Sequence, residues 1–386
     1  MLRILVSLIL LITAAGTACA HLASDSYLRI EIGQDGPVGG QWDIALRDLD
    51  AAIGIDADQD GAITWGELRA KTKEIEDYAF GRLTLTGRSG ACRLTPTGLM
   101  VDRHAGYAYA VLPFVTECPH RTAITLHYRL LFDLDPSHRG LLTVAGLGAT
   151  KSAVLTPDHA DVVLESGPES VVDQAVQFFA FGFEHILLGY DHLLFIAVLL
   201  VMTAMHRDNR ANWVGIDRLG RVLVETIKVL TAFTLAHAIV LTPAVLGAVS
   251  VPARLVEPAV AMTIMLAAID NLYPILPRLR WQVAFLFGLI HGLSFASIIG
   301  PMQLPPSGFA VALASFNSGV EGGQIALALL LVPIVFVLRD EMTYRHLVAP
   351  GISIGAFLLA GTWFVDRVFA LNLLLLQPIR MAGSGP

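Results

Sequence analysis

The stretch GFEHILLGYDHLLFIAVLL, residues 182–200, sets Glu184, His185, Asp191 and His192 at the head of a run apolar enough for a membrane helix. Ionisable groups in hydrocarbon are costly and are kept for a partner, a cavity or an ion. His185 and His192 lie two helical turns apart and share a face, with Glu184 and Asp191 in a second stripe beside them. Later apolar stretches repeat the theme. TAFTLAHA carries Thr231, Thr234 and His237; VEPAVAMTIMLAAIDN carries Glu257, Asp270 and Asn271; FGLIHGLSFA carries His291; FNSGVEGGQ sets Asn317, Glu321 and Gln324 on one stripe. A lone histidine of this kind would be read as an interhelical bond. Four of them with carboxylates, drawn from separate spans, predict one shared cation site. Imidazole and carboxylate without thiolate suit a divalent cation such as nickel, cobalt or zinc, and Met262 and Met265 add a thioether option. Asp191 and Glu321 offer the counter-charge a desolvated cation needs, and Asp191 is also placed to orient an imidazole. Thr231 and Thr234 are expected to bond their own backbone, Asn317 and Gln324 to act in packing, and Gly288, Gly292, Gly319 and Gly322 to permit close helix approach.

A second constellation has different chemistry. DADQDGAITWGE, residues 56–67, follows the calcium-loop pattern D-x-[DN]-x-[DN]-G-x₅-E. Asp56, Asp58 and Asp60 offer carboxylate oxygens, Gly61 permits the sharp turn, Ala62 gives its carbonyl, Thr64 binds directly or through water, and Glu67 binds with both oxygens. An isolated loop of this kind outside the cell predicts weak calcium binding, with a structural or sensing role. GELRAKTKEIEDYAF is expected to form the helix that leaves it.

The elements that must position these groups follow from hydropathy. The chain has 386 residues, 54% of them hydrophobic and 15% charged, against about 25% charged in a soluble domain. The formal net charge of −7 comes from the N-terminal part. No basic stripe with interleaved aromatics occurs, so nucleic acid is not an expected partner. Six apolar stretches, about 180–204, 223–246, 255–276, 282–302, 309–338 and 347–366, are each long enough to span about 30 Å of hydrocarbon. The fifth is overlong and is expected to tilt or break near Gly319, Gly322 and Gly323. Arginines mark alternate loops: Arg207, Arg210, Arg218 and Arg221, then Arg278 and Arg280, then Arg339 and Arg345. The positive-inside rule makes those loops cytoplasmic and leaves the N-terminal part and the C-terminus outside.

MLRILVSLILLITAAGTACA, residues 1–20, has an early arginine, an apolar run and a small-residue end, and predicts a cleaved signal peptide. Residues 21–166 alternate in short runs (YLRIEIG, YAYAVLPFV, AITLHYRLLFDL, GLLTVAG) bounded by turn residues, which predicts a β-rich exported domain broken by one helical insert near 66–80. Cys92 and Cys118 both fall in it and predict one disulfide. The fold expected is therefore a polytopic α-helical membrane bundle of about six helices, residues 175–376, preceded by a β-rich extracytoplasmic domain. It would sit in a bacterial inner (plasma) membrane, against lipid, with the N-terminal domain in the periplasm.

GFEHILLGYDHLLF, TAFTLAHA, VEPAVAMTIMLAAIDN, FGLIHGLSFA and FNSGVEGGQ, in this order and with the His-x₆-His spacing around Gly189 and Asp191, resemble the HupE/UreJ family of membrane proteins in its longer form. The resemblance covers most of 175–366. It implies about six helices, nickel or cobalt handling near hydrogenase and urease maturation, and His185, Asp191, His192, His237, His291 and Glu321 as the ligand set. A divalent-metal permease is the leading expectation. The rivals are a membrane-anchored metal sensor or metalloenzyme-assembly factor, and a non-covalent bis-His haem protein. No P-loop, H-E-x-x-H or G-x-S-x-G motif occurs, so no enzyme activity is expected.

Overall fold

The computed structural model describes residues 24–369, apart from 33–37, 88–89, 105–106, 119–123, 147–148, 165–169, 208–212, 250, 274, 276–279 and 300–305. The signal peptide expected at 1–20 lies outside the described residues, as do positions past 369.

The N-terminal half is β-rich. Strands β1 (Asp25–Ile32) and β2 (Val38–Ala45) lead into helix α1 (Leu46–Ile53), then α2 (Trp65–Ala70) and α3 (Thr72–Phe80). Strands β3 (Leu83–Gly87), β4 (Gly90–Ala91), β5 (Arg93–Pro96), β6 (Met100–His104), β7 (Tyr107–Glu117), β8 (Ile124–Tyr128), β9 (Arg139–Gly146), β10 (Ala149–Leu155) and β11 (Asp161–Leu164) follow. One sheet has the order β10-β9-β1-β2-β7-β5 with β6 also on β7; the other runs β11-β8-β3-β4. All pairs are antiparallel except β1 with β9. Alternation explains the core: along β1, Leu28, Ile30 and Ile32 point inward while Arg29 and Glu31 face out. They join Trp42, Phe114, Leu85, Leu126 and Tyr128, with Ile55, Leu68 and Ile75 from the helical insert, in one apolar core. Cys92 and Cys118 form the expected disulfide, which ties the β5–β7 pair.

The helical insert is larger than the sequence suggested. Helix α1 precedes the calcium-loop segment, and the helix expected over 66–80 is divided at Lys71 into α2 and α3.

The second half is helical: α4 (Val171–Leu188), α5 (Tyr190–Val201), α6 (Leu219–Val245), α7 (Ala253–Leu272), α8 (Arg280–Ile299), α9 (Pro306–Leu338) and α10 (Ala349–Phe369), the last entered through a π-turn at Tyr344–Val348. A short hairpin of β12 (Met205–Arg207) and β13 (Trp213–Gly215) links α5 to α6. Among the described residues, five helices are long and apolar enough to cross a membrane, and α5 is a shorter apolar helix. The chain is a multi-pass membrane protein.

Three expectations need correction. The first span is not one helix over 180–204: it is α4 and α5, broken at Gly189. There the His192 N–H bonds to Asp191 Oδ1 at 2.9 Å rather than continuing the helical ladder, and the Gly189 N–H bonds to the His185 carbonyl at 3.0 Å. The overlong fifth span, by contrast, runs unbroken as α9. Its glycines serve contact: a Cβ at Gly319 would run into the Phe179 carbonyl of α4, and one at Gly182 into the Phe316 carbonyl of α9, so these two backbones touch. Finally, Thr231 and Thr234 bond across helices, not to their own backbone, because α9 presents Glu321 and Gln324 opposite them.

The two ends of the bundle differ. At one end the β-rich domain docks: Leu141 and Val154 pack with Phe178 and Phe181, Arg139 pairs with Glu184 at 3.1 Å, and Tyr107 donates to Glu257, which also meets Arg367 of α10. The opposite end is knitted by the arginine-rich connections. Arg345 donates to the carbonyls of Arg339 and Trp213 and pairs with Asp340, Arg280 donates to the Met202 carbonyl, and Tyr344 to the Val201 carbonyl.

Candidate metal centre

Four helices bring imidazoles toward one another inside the bundle. His185 closes α4, and His192 opens α5 across the Gly189 break; their ring centroids are 4.6 Å apart. His192 is in turn 5.4 Å from His291 of α8. His237 of α6 joins through a stacked pair, Phe295 and Phe316, 4.2 Å apart, against which His185 also packs. Phe195 and Phe233 each lie 5.1 Å from His291 and wall off its other side. The break is what permits the first contact. A Cβ at Gly189 would lie 2.6 Å from the His185 carbonyl oxygen and 3.0 Å from His192 Nδ1.

Hydrogen bonds leave the rings half satisfied. Asp191 Oδ1 takes His192 Nδ1 at 3.0 Å. His237 Nδ1 meets Asn317 Oδ1 at 3.1 Å, and His291 Nε2 meets Thr263 Oγ1 at 3.0 Å. The other nitrogens of the last two rings, His237 Nε2 and His291 Nδ1, are buried without a partner, as is His185 Nε2. Buried polar atoms are paired in the great majority of cases, so three orphans on neighbouring rings ask for a ligand. The rings stand close without forming a coordination sphere. Among the described residues, no three of these imidazole and carboxylate groups bring one ligand atom each within 4.8 Å of one another.

The remaining candidates stand elsewhere. Glu321 accepts from Thr231 at 2.5 Å with Oε1, and its Oε2 is buried without a partner. Gln324 accepts from Thr234. Glu184 faces Arg139 of the β-rich domain, Glu257 faces Tyr107 and Arg367, Asp270 accepts from the Ile275 N–H, and Asn271 donates to the Val198 carbonyl. Met262 is exposed on the outside of the bundle and Met265 packs among apolar side chains, so neither thioether stands with the imidazoles. Thr263 gave no sequence signal, being a single threonine in an apolar run.

In the β-rich domain, Asp56, Asp58 and Asp60 bring carboxylate oxygens within 4.8 Å of one another. Gly61 turns the loop at φ 85°, and its N–H bonds to Asp56 Oδ2. The Ala62 N–H donates to Asp60 Oδ1. Thr64 caps α2 and exchanges hydrogen bonds with Glu67, whose oxygens also take the N–H groups of Thr64 and Ala57. Those bonds, the Thr64 N–H first, hold the Glu67 carboxyl down at about 2.

No curated protein matches the chain. A family profile does: that of the HupE / UreJ protein, over residues 161–367, from β11 into α10. The match spans more than half of the sequence and takes in every helix that bears an imidazole of the cluster, and the chain belongs to the HupE/UreJ family.

Proposed function

We propose that this chain is a permease for a divalent transition-metal cation, nickel or cobalt, with zinc as the alternative of the same donor chemistry. His185, His192, His237 and His291 would hold the ion part-way through the bundle, with Asp191 as counter-charge. The observation that carries the reading is the set of buried, partnerless nitrogens on His185, His237 and His291. A packing role would satisfy them, whereas a neutral imidazole with an open lone pair is a metal ligand. Binding an ion would require the four rings to close on one another. Under the positive-inside rule the arginine-knitted end faces the cytoplasm and the outer domain the periplasm of the inner membrane. Inward movement would then draw on the membrane potential, about 2.3 kcal/mol per charge per 100 mV and about twice that for a divalent ion. Glu321, held by Thr231 on the α6–α9 seam, is a second carboxylate along the route, and metalloenzyme maturation factors are the natural recipients.

The ring geometry speaks against haem. Rings 4.6 and 5.4 Å apart and steeply inclined, with phenyl groups around them, leave no planar slot for a macrocycle. One contact favours a sensing role beside transport: Arg139 of the outer domain grips Glu184, the residue before His185. We infer further that residues 56–67 take calcium weakly, at about 10⁻⁴ to 10⁻³ M. Support comes from the carboxylate triple and the Gly61 turn.

Metal analysis and isotope uptake test the proposal in wild type, His192→Ala and Glu321→Ala. The expected result is loss of bound nickel or cobalt and of uptake in His192→Ala, with retained binding and slowed uptake in Glu321→Ala. Uptake by His192→Ala equal to wild type would end the proposal, and metal binding without uptake in wild type would leave the sensor.

A further inference from the structure

Two residues outside the proposed ligand set decide which nitrogen each imidazole offers. The Thr263 hydroxyl has one proton, and it lies 2.7 Å from the carbonyl of Val260, which can only accept. The Thr263 oxygen can therefore only accept from His291 Nε2, at 3.0 Å, so the proton of that ring sits on Nε2. Asn317 makes the same kind of choice. Its amide nitrogen donates to the Leu313 carbonyl at 2.8 Å, which turns its oxygen toward His237 Nδ1 and places that ring's proton on Nδ1. The nitrogens left bare by this assignment, His291 Nδ1 and His237 Nε2, are the same atoms that are buried without a partner. Two independent observations, the direction of the hydrogen bonds and the orphaned atoms, meet on both rings.

We propose that Thr263 and Asn317 are positioning residues that lock His291 and His237 in opposite tautomers, so that the centre presents Nδ1 from one ring and Nε2 from the other. The inference deepens the metal-permease reading and rests on it for its purpose, though not for its geometry. An imidazole free to exchange tautomers would spend part of its time with a proton where the cation must bind. A fixed one keeps the lone pair bare and aimed. Thr263 comes from α7 and Asn317 from α9, neither of which contributes an imidazole, so the set requires helices beyond those that carry the rings to stay in register.

The test uses full-length protein with ¹⁵N-labelled histidine, metal-free, above the ordinary imidazole range of about 6.5. Nitrogen NMR separates protonated from bare ring nitrogens, with the two residues assigned from His291→Gln and His237→Gln. Wild type is expected to show His291 protonated at Nε2 and His237 at Nδ1. Thr263→Val should populate both tautomers of His291 and weaken binding of nickel sulfate by about 10- to 100-fold, and Thr263→Ser should restore both. Asn317→Leu should do the same to His237 alone. A merely structural threonine would not move a tautomer ratio. Wild type with His291 protonated at Nδ1 overturns the proposal even if no variant folds, and so does a Thr263→Val protein with unchanged tautomers and nickel affinity. Tautomers that behave as stated in a protein that binds no nickel, cobalt or zinc would uphold the lock while removing the permease reading.

Discussion

His138 in the β-rich domain and His291 in the bundle are equally buried, 0% and 1% exposed, yet they are built in opposite ways. His138 sits in a closed chain. Trp42 donates to Ser26, Ser26 to Tyr128, Tyr128 to His138 Nε2, His138 Nδ1 to Ser24, and Ser24 to Asp48, every link pointing the same way. Both nitrogens are used, and burial holds the ring neutral by pushing it down to about 3. His291 has one nitrogen tied to Thr263 and the other bare. The same residue type at the same depth is thus structural in one half and chemically open in the other. What separates them is the count of satisfied ring atoms, which burial alone does not reveal.

The sharpest way to break this comparison is to delete each ring. His291→Ala should abolish cation binding, a loss beyond about 100-fold, with little change in melting temperature; calorimetry and metal titration read both. Should the variant melt early and still bind, the open nitrogen has no role. His138→Ala should do the reverse. Two buried hydroxyls lose a partner, at about 1–3 kcal/mol each, so the β-rich domain melts earlier while cation binding per folded molecule is kept. Gly189→Ala is next in size. The added methyl would crowd the His185 carbonyl oxygen at 2.6 Å and His192 Nδ1 at 3.0 Å, so we expect about tenfold weaker cation binding.

The smallest effect is a pH dependence confined to the β-rich domain. Burial raises the Asp25 carboxyl from 3.8 to about 7, against the pull of Arg47. The folded form binds more protons between those values, so this contribution is complete below 3.8 and is lost as pH rises through 7. His138 runs the other way: the unfolded form takes the proton first, so its contribution is complete above 6.5 and is lost as pH falls toward 3. Asp25→Asn should therefore outlast wild type above about pH 7 and match it near pH 4 in thermal melts, with the acid-side loss intact. Parallel curves for the two proteins would remove Asp25 from the balance.

Much of this was legible in the sequence. Alternating strands and long apolar runs announce the two halves, because each period reports directly which face is buried. The break at Gly189 was not, since the apolar pattern runs through it and a single glycine is tolerated in a helix. Helix α1 was hidden by its shortness, and the cross-helix bonds of Thr231 and Thr234 by the fact that a threonine's sequence context says nothing of which neighbour it meets. The histidines stand out because imidazole is rare in hydrocarbon. Thr263 does not, because threonine is common there, and its role exists only in relation to a ring on another helix.

Arg139 follows His138 in sequence, and Glu184 precedes His185, so their ion pair joins the buried hydrogen-bonded chain of the β-rich half to the helix end that carries the first imidazole. Severing the chain between β11 and α4 would leave that pair and the apolar packing around it to hold the two pieces together. Parted from the other, the helical piece would lose the cover that Leu141 and Val154 give to Phe178 and Phe181, and Glu184 its partner. The β-rich half works as a foundation stone for the helices as much as a domain with business of its own.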